Sequence, residues 1–116
     1  MNDQTTEQAI QAAGANVAPR ITPAGIEDNI VAEHYFTARE GCEGACGGGG
    51  TYHVSLGLLT ICVLVLRNGF TVTGESACAS PENFNADIGR RIARENAVAK
   101  IWPLLGYELR SKLAAA

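Results

Sequence analysis

The segment that most restricts the fold is Ile61-Cys62-Val63-Leu64-Val65-Leu66-Arg67, followed by Asn68-Gly69 and then Phe70-Thr71-Val72-Thr73-Gly74. Two runs rich in β-branched and aliphatic residues, separated by Asn-Gly, predict a β-hairpin. A two-residue type I′ turn suits Asn-Gly because both of its central residues need positive φ. That turn sets Arg67 opposite Phe70, Val65 opposite Val72 and Val63 opposite Gly74. One face, with Ile61, Val63, Val65, Phe70 and Val72, is then almost wholly apolar and is the one expected under the long C-terminal helix, while the other pairs Leu66 with Thr71 and Leu64 with Thr73. A lone hairpin is marginal in water, so helices or a third strand must cover it.

The flanking residues supply helices. Thr22 can cap a helix that has Pro23 at its first position, predicting a helix from Pro23 to about Phe36. Ser80 and Pro81 open a longer one by the same rule, with Phe84, Ile88, Ile92, Ala99 and Trp102 forming its apolar stripe. Proline disfavours helical backbone at the residue before it, so Pro103 ends or kinks that helix. Leu104, Leu105, Tyr107, Leu109 and Leu113 continue as a second helical segment. Residues 41–50 contain six glycines and read as a loop. Tyr52 to Ser55 alternates like a short third strand. Residues 1–21 read as a flexible arm, with a short helix from Thr6 to Ala13. The expected architecture is a single α+β domain over residues 22–113: an N-terminal helix, a central hairpin of two or three antiparallel strands, and a long C-terminal helix kinked near Pro103.

At 116 residues the chain can build a core without disulfides or a metal. The first residues are polar and acidic where a secretory leader needs positive charge and then an apolar run. The longest apolar stretch, Leu56 to Leu66, falls well short of the ~20 residues of a spanning helix. A cytoplasmic location and reduced Cys42, Cys46, Cys62 and Cys78 follow as expectations. The net charge of −3 has the wrong sign for a nucleic-acid or anionic-membrane binder.

The block from Leu59 to Phe84 resembles a family of small tailed-phage and prophage proteins labelled by phage gene products forty-nine and sixty-six. The blocks Ile88-Gly89-Arg90-Arg91-Ile92-Ala93-Arg94-Glu95-Asn96-Ala97-Val98, Ile101-Trp102-Pro103-Leu104 and Gly106-Tyr107-Glu108-Leu109-Arg110 carry the same resemblance. Glu33-His34-Tyr35-Phe36-Thr37-Ala38 matches the family's first helix. The resemblance implies a phage-derived protein acting in the bacterial cytoplasm, and it implies no catalytic residue or cofactor.

Among candidate site residues, Glu95 comes first. On a wheel of about 100° per residue it falls inside the stripe of Ile88, Ile92 and Trp102. A carboxylate there must be paired or have a raised pKa. Arg91, four residues earlier, is the obvious partner, and His34 is a second. Glu95 then reads either as a ligand-binding or proton-transfer group or as a structural ion pair. Arg90, Arg91 and Arg94 form a basic cluster that could hold an anion, although Asp87 and Glu95 sit at ion-pairing distance along the helix. Cys42, Cys46 and His53, with His34 as a further candidate, are an incomplete zinc pattern, because the histidines are not a close pair. No metal or cofactor is expected. These features lead to a small binding protein acting on a host target or a small anionic signalling ligand. The alternatives are a small enzyme using Glu95 as acid or base, or a zinc-stabilised interaction module. The hairpin's second face and the leucines after Pro103 also predict a homo-oligomer, most simply a dimer.

Overall fold

The structure, a computed structural model, describes residues 3–48 and 50–116. In chain order the elements are α1 (Asp3–Ala12), α2 (Pro23–Asn29), β1 (Ile30–Thr37), α3 (Ala38–Ala45), a 3-10 turn (Val54–Leu58), β2 (Leu59–Leu66), β3 (Thr71–Ala77), a second 3-10 turn (Pro81–Asn83) and α4 (Ala86–Ala115). The α+β class, with an N-terminal helix, an antiparallel sheet and a long C-terminal helix, is as expected. The sheet has three strands in the order β1-β2-β3, so β2 is central. No described helix is long and apolar enough to cross a membrane.

The third strand is not where the alternation at Tyr52–Ser55 put it. Thr22 caps α2 by accepting from the Gly25 N–H at 3.0 Å, but the helix stops at Asn29. From Ile30 to Thr37 the chain is a strand paired to β2. This run holds Ile, Val, Tyr, Phe and Thr, residues that suit a pleated half-buried surface. A free edge of β2 outweighs the weak helical periodicity of Ile26 and Ile30. Residues 41–45, expected as loop, belong to α3. Its start is a capping box: Thr37 Oγ1 accepts from the Glu40 N–H, and Glu40 Oε1 accepts from the Thr37 N–H at 2.8 Å. The reciprocal bonds satisfy two helix-end donors and offset the glycines that follow.

The hairpin forms, one residue out of the expected register. Leu64 pairs with Val72 and Cys62 with Gly74, and the Leu66 N–H bonds to the Phe70 carbonyl at 2.8 Å. The loop therefore has three residues, Arg67-Asn68-Gly69. Among the described residues no non-glycine has positive φ, while Gly69 has φ +90°. That excludes a type I′ turn and leaves a turn ending in one left-handed glycine. The tip is tied down where the Arg67 N–H donates to the Asn29 carbonyl at 2.9 Å and Arg67 Nη2 to the Asp28 carbonyl at 2.6 Å. Gly69→Ala is expected to lose about 1–2 kcal/mol, the left-handed penalty for an L-residue, in a urea unfolding curve.

The core lies on the opposite side of β2 from the expected one. Cys62, Leu64 and Leu66 are buried with Val72, whereas Ile61, Val63 and Val65 are half-buried on the outer face. Helix α4 crosses the inner face through Gly89, Ala93, Ala97 and Ile101, all buried. The bulkier stripe fails as the core face: Ile88 is 57% exposed and Ile92 41%. Backbone proximity explains the choice. A Cβ on Gly74 would lie 2.1 Å from the Ala93 carbonyl oxygen and 2.3 Å from the Ala97 nitrogen. Only small side chains admit that approach. α4 starts at the Asn85 cap, whose side chain accepts from the Ile88 N–H at 3.0 Å, and not at Ser80. It runs through Pro103 as one helix.

Candidate functional site

Between α1–α2 and the middle of α4 runs an open cleft of about 650 Å³, walled by Ile26, Val98 and Trp102 and rimmed by Glu27, Arg91, Arg94 and Glu95. Three of the sequence-derived candidates, Arg91, Arg94 and Glu95, therefore share one site. Arg90 and His34 do not line it. Arg90 pairs with Asp87 on the same helix. His34 pairs with Val63 across the strands. It alternates with Glu33 and Tyr35, so it faces away from α4.

Arg94 is the best-anchored of the three. Its guanidinium donates to Glu27 at 2.8 and 3.1 Å and to Glu33 at 3.1 and 3.2 Å. Its side chain is 28% exposed. The Tyr35 hydroxyl completes the network by donating to Glu33 at 2.7 Å. Arg94 and Tyr35 together hold the Glu33 carboxyl below the usual carboxylate range. Burial and the Glu33 acceptor push the Tyr35 hydroxyl up, and burial pushes the neighbouring Cys62 thiol up. The two carboxylates raise Arg94, with Glu27 the larger influence.

Glu95 is not inside the core stripe. Its side chain is 64% exposed and meets Arg91 at 3.4 Å, the helical neighbour expected for it. With the packing face on Gly89 and Ala93, the stripe that enclosed Glu95 on the wheel becomes a solvent-facing edge of the cleft. Across the cleft to α1, Trp102 Nε1 donates to Asp3 Oδ2 at 3.0 Å. α1 is held further by Arg20, which grips Glu7 through two 2.6 Å bonds and lowers that carboxyl to about 2.

Glu27, Glu33 and Tyr35 were absent from the sequence-derived set. Glu33 and Tyr35 are two apart, so they share a face only in a strand, and reading residues 30–36 as helix separates them. The cysteines lie elsewhere. Cys42 lies on α3 and is half-buried, Cys46 caps the end of that helix one turn later and is exposed, and all four cysteines are free of disulfides. His53 Nδ1 accepts from the Ser55 N–H at 3.1 Å. Among the described residues no three His, Cys, Asp or Glu side chains are grouped to hold a metal.

Arg94→Met is expected to cost about 1 kcal/mol at neutral pH, a modest figure because Glu27 and Glu33 remain 54% and 39% exposed. The Glu33 pKa is depressed by folding, so its contribution is present above the ordinary carboxylate range and lost as pH falls through the folded value. Urea curves at about pH 7 and about pH 3 should therefore show the wild-type advantage shrinking with acid.

Residues 21–113 match the family model described as phage protein (N4 Gp49/phage Sf6 gene 66). No curated protein and no solved structure matches the chain.

Proposed function

The chain belongs to the phage protein (N4 Gp49/phage Sf6 gene 66) family, and on that premise we propose that it is a small binding protein of the bacterial cytoplasm whose cleft engages a host protein. The observation that carries this reading is the make-up of the cleft. Trp102 and Val98 form an apolar wall, and Arg91 and Arg94 stand on its rim beside Glu27 and Glu95. Tryptophan and arginine are the side chains that most often dominate protein interfaces. Each rim arginine already has a carboxylate partner. A free anion would have to displace those carboxylates, whereas a partner surface with both charges can pair with the rim as it stands.

Capture from infected-cell lysate tests the proposal, with native mass spectrometry reading retained small molecules in parallel. Arg91→Glu is the informative variant because the Arg91 side chain is 82% exposed, so its expected cost to the fold is small. A defined host protein retained by the wild type and lost with Arg91→Glu is the expected result. Retention that ignores the variant moves the contact away from the cleft. A bound small anion with no protein partner replaces the host-protein reading with the ligand one, and neither under several infection conditions overturns both.

A further inference from the structure

The last turn of α3 brings two thiols together, away from the cleft. Cys42 lies within the helix and Cys46 closes it, its N–H still bonded to the Cys42 carbonyl at 3.0 Å. Side chains four residues apart on a helix lie on the same face, one above the other. Tyr52, beyond the glycine-rich stretch, meets the same grouping from outside the helix. Its hydroxyl donates to the Cys42 carbonyl at 3.4 Å and is in hydrogen-bond contact with the Cys46 thiol. Access to the pair is open, because a Cβ added at Gly44, Gly47 or Gly48 would meet nothing within 4 Å.

Three chemistries suit a pair of thiols, and the geometry separates them. A disulfide needs Cβ atoms about 3.5–4.5 Å apart. One helical turn holds them about 5–6 Å apart, so a direct bond would require the turn to unwind. Zinc takes four ligands, or three and a water, and among the described residues no third His, Cys, Asp or Glu joins the pair. A soft monovalent cation needs only two thiolates, one on either side of it. Such an ion spans the gap that a sulfur–sulfur bond cannot.

We propose that Cys42 and Cys46 form a two-coordinate thiolate site for Cu(I). Each thiol gives its proton to solvent as its sulfur takes the ion, so binding releases protons and transfers no electron. The exposed Cys46 is the point of entry, and the half-buried Cys42 holds the ion against the helix. No residue of α3 lines the Trp102 cleft. The site therefore stands or falls independently of the host-protein reading.

Anaerobic titration of the full chain with Cu(I), against bicinchoninate as competitor, provides the test. One ion per chain is expected, with two sulfur neighbours in X-ray absorption and no displacement by excess zinc. Cys46→Ser should weaken binding by more than about a hundredfold, since losing a ligand costs more than losing a ligand's support. Cys78→Ser should leave binding unchanged. The deciding variant combines Gly44→Cys with Cys46→Ser, which keeps the number of thiols but moves one about 200° round the helix from Cys42. It should bind as weakly as Cys46→Ser alone. Wild-type affinity in that variant overturns the helical site and leaves only the attraction of copper for any pair of thiols. A wild type that cannot compete with bicinchoninate, displacement by zinc, or an ion shared between two chains overturns it as well.

Discussion

Gly74→Ala is expected to lose more than about 3 kcal/mol of stability, the upper end of what an added methyl costs in a packed core. The obstacle is backbone: the new Cβ would lie 2.1 Å from the Ala93 carbonyl oxygen, 2.3 Å from the Ala97 nitrogen and 2.9 Å from the Ala97 Cα. No side chain can rotate away to make room. Either α4 lifts from the sheet, opening gaps around Leu64 and Ile101, or β3 detaches from β2. Small domains hold only about 5–15 kcal/mol in total. A drop in melting temperature of about 10 °C or more should follow. Gly44→Ala serves as the control, since a Cβ at that helical position meets nothing within 4 Å and should be neutral or mildly stabilising. A Gly74→Ala protein melting within about 2 °C of wild type would show that the close approach of helix and sheet is dispensable.

Leu64→Ala should be the most damaging truncation in the central strand, at about 2–5 kcal/mol. Leu64 is fully buried and packs in the cluster of Cys62, Val72, Ala97 and Ile101. Its neighbour Val63 faces the other way and is half-buried. Val63→Ala should cost less than about 1.5 kcal/mol, because much of its surface remains in water after folding. The ratio of the two costs reads the orientation of β2 directly. The Asn-Gly two-residue turn implies the opposite ranking, since it pairs Val65 with Val72 and puts the Val63 side toward the helix. Paired urea curves decide between them.

That contrast shows where local rules ran out. The hairpin strands, the Thr22–Pro23 helix start and the long C-terminal helix were legible because each depends on residues adjacent in the chain. The side of the sheet that the helix covers is decided between distant residues. Ile88 and Ile92 are bulkier than Gly89 and Ala93, and bulk alone selects the wrong stripe. Only the facing Gly74 explains why the small residues pack inward. The same error moved Glu95 from the surface into an imagined core. β1 was hidden because Ile26, Ile30 and Val31 fit a helical face, and nothing near them in sequence reveals that β2 lacks a neighbour. The Arg91–Glu95 pair was legible as a four-residue spacing. The grip of Arg94 on Glu27 and Glu33 was not, since it spans most of the chain.

Placing the central strand late in the sequence has a kinetic consequence. β2, β3 and α4 follow one another with short connections, so their contacts form with little loop closure. β1 joins β2 only after the chain closes the segment containing α3 and the glycine-rich stretch. Closure over longer loops costs more entropy, though the cost rises only slowly with length. Folding should therefore begin in the hairpin and its helix, with β1 added last. In native-state hydrogen exchange, amides of β1 bonded to β2 should open at lower free energy than those joining β2 to β3. The edge strand acts as a late clasp, and lengthening the glycine-rich connection should slow its docking while leaving the rate of hairpin formation unchanged.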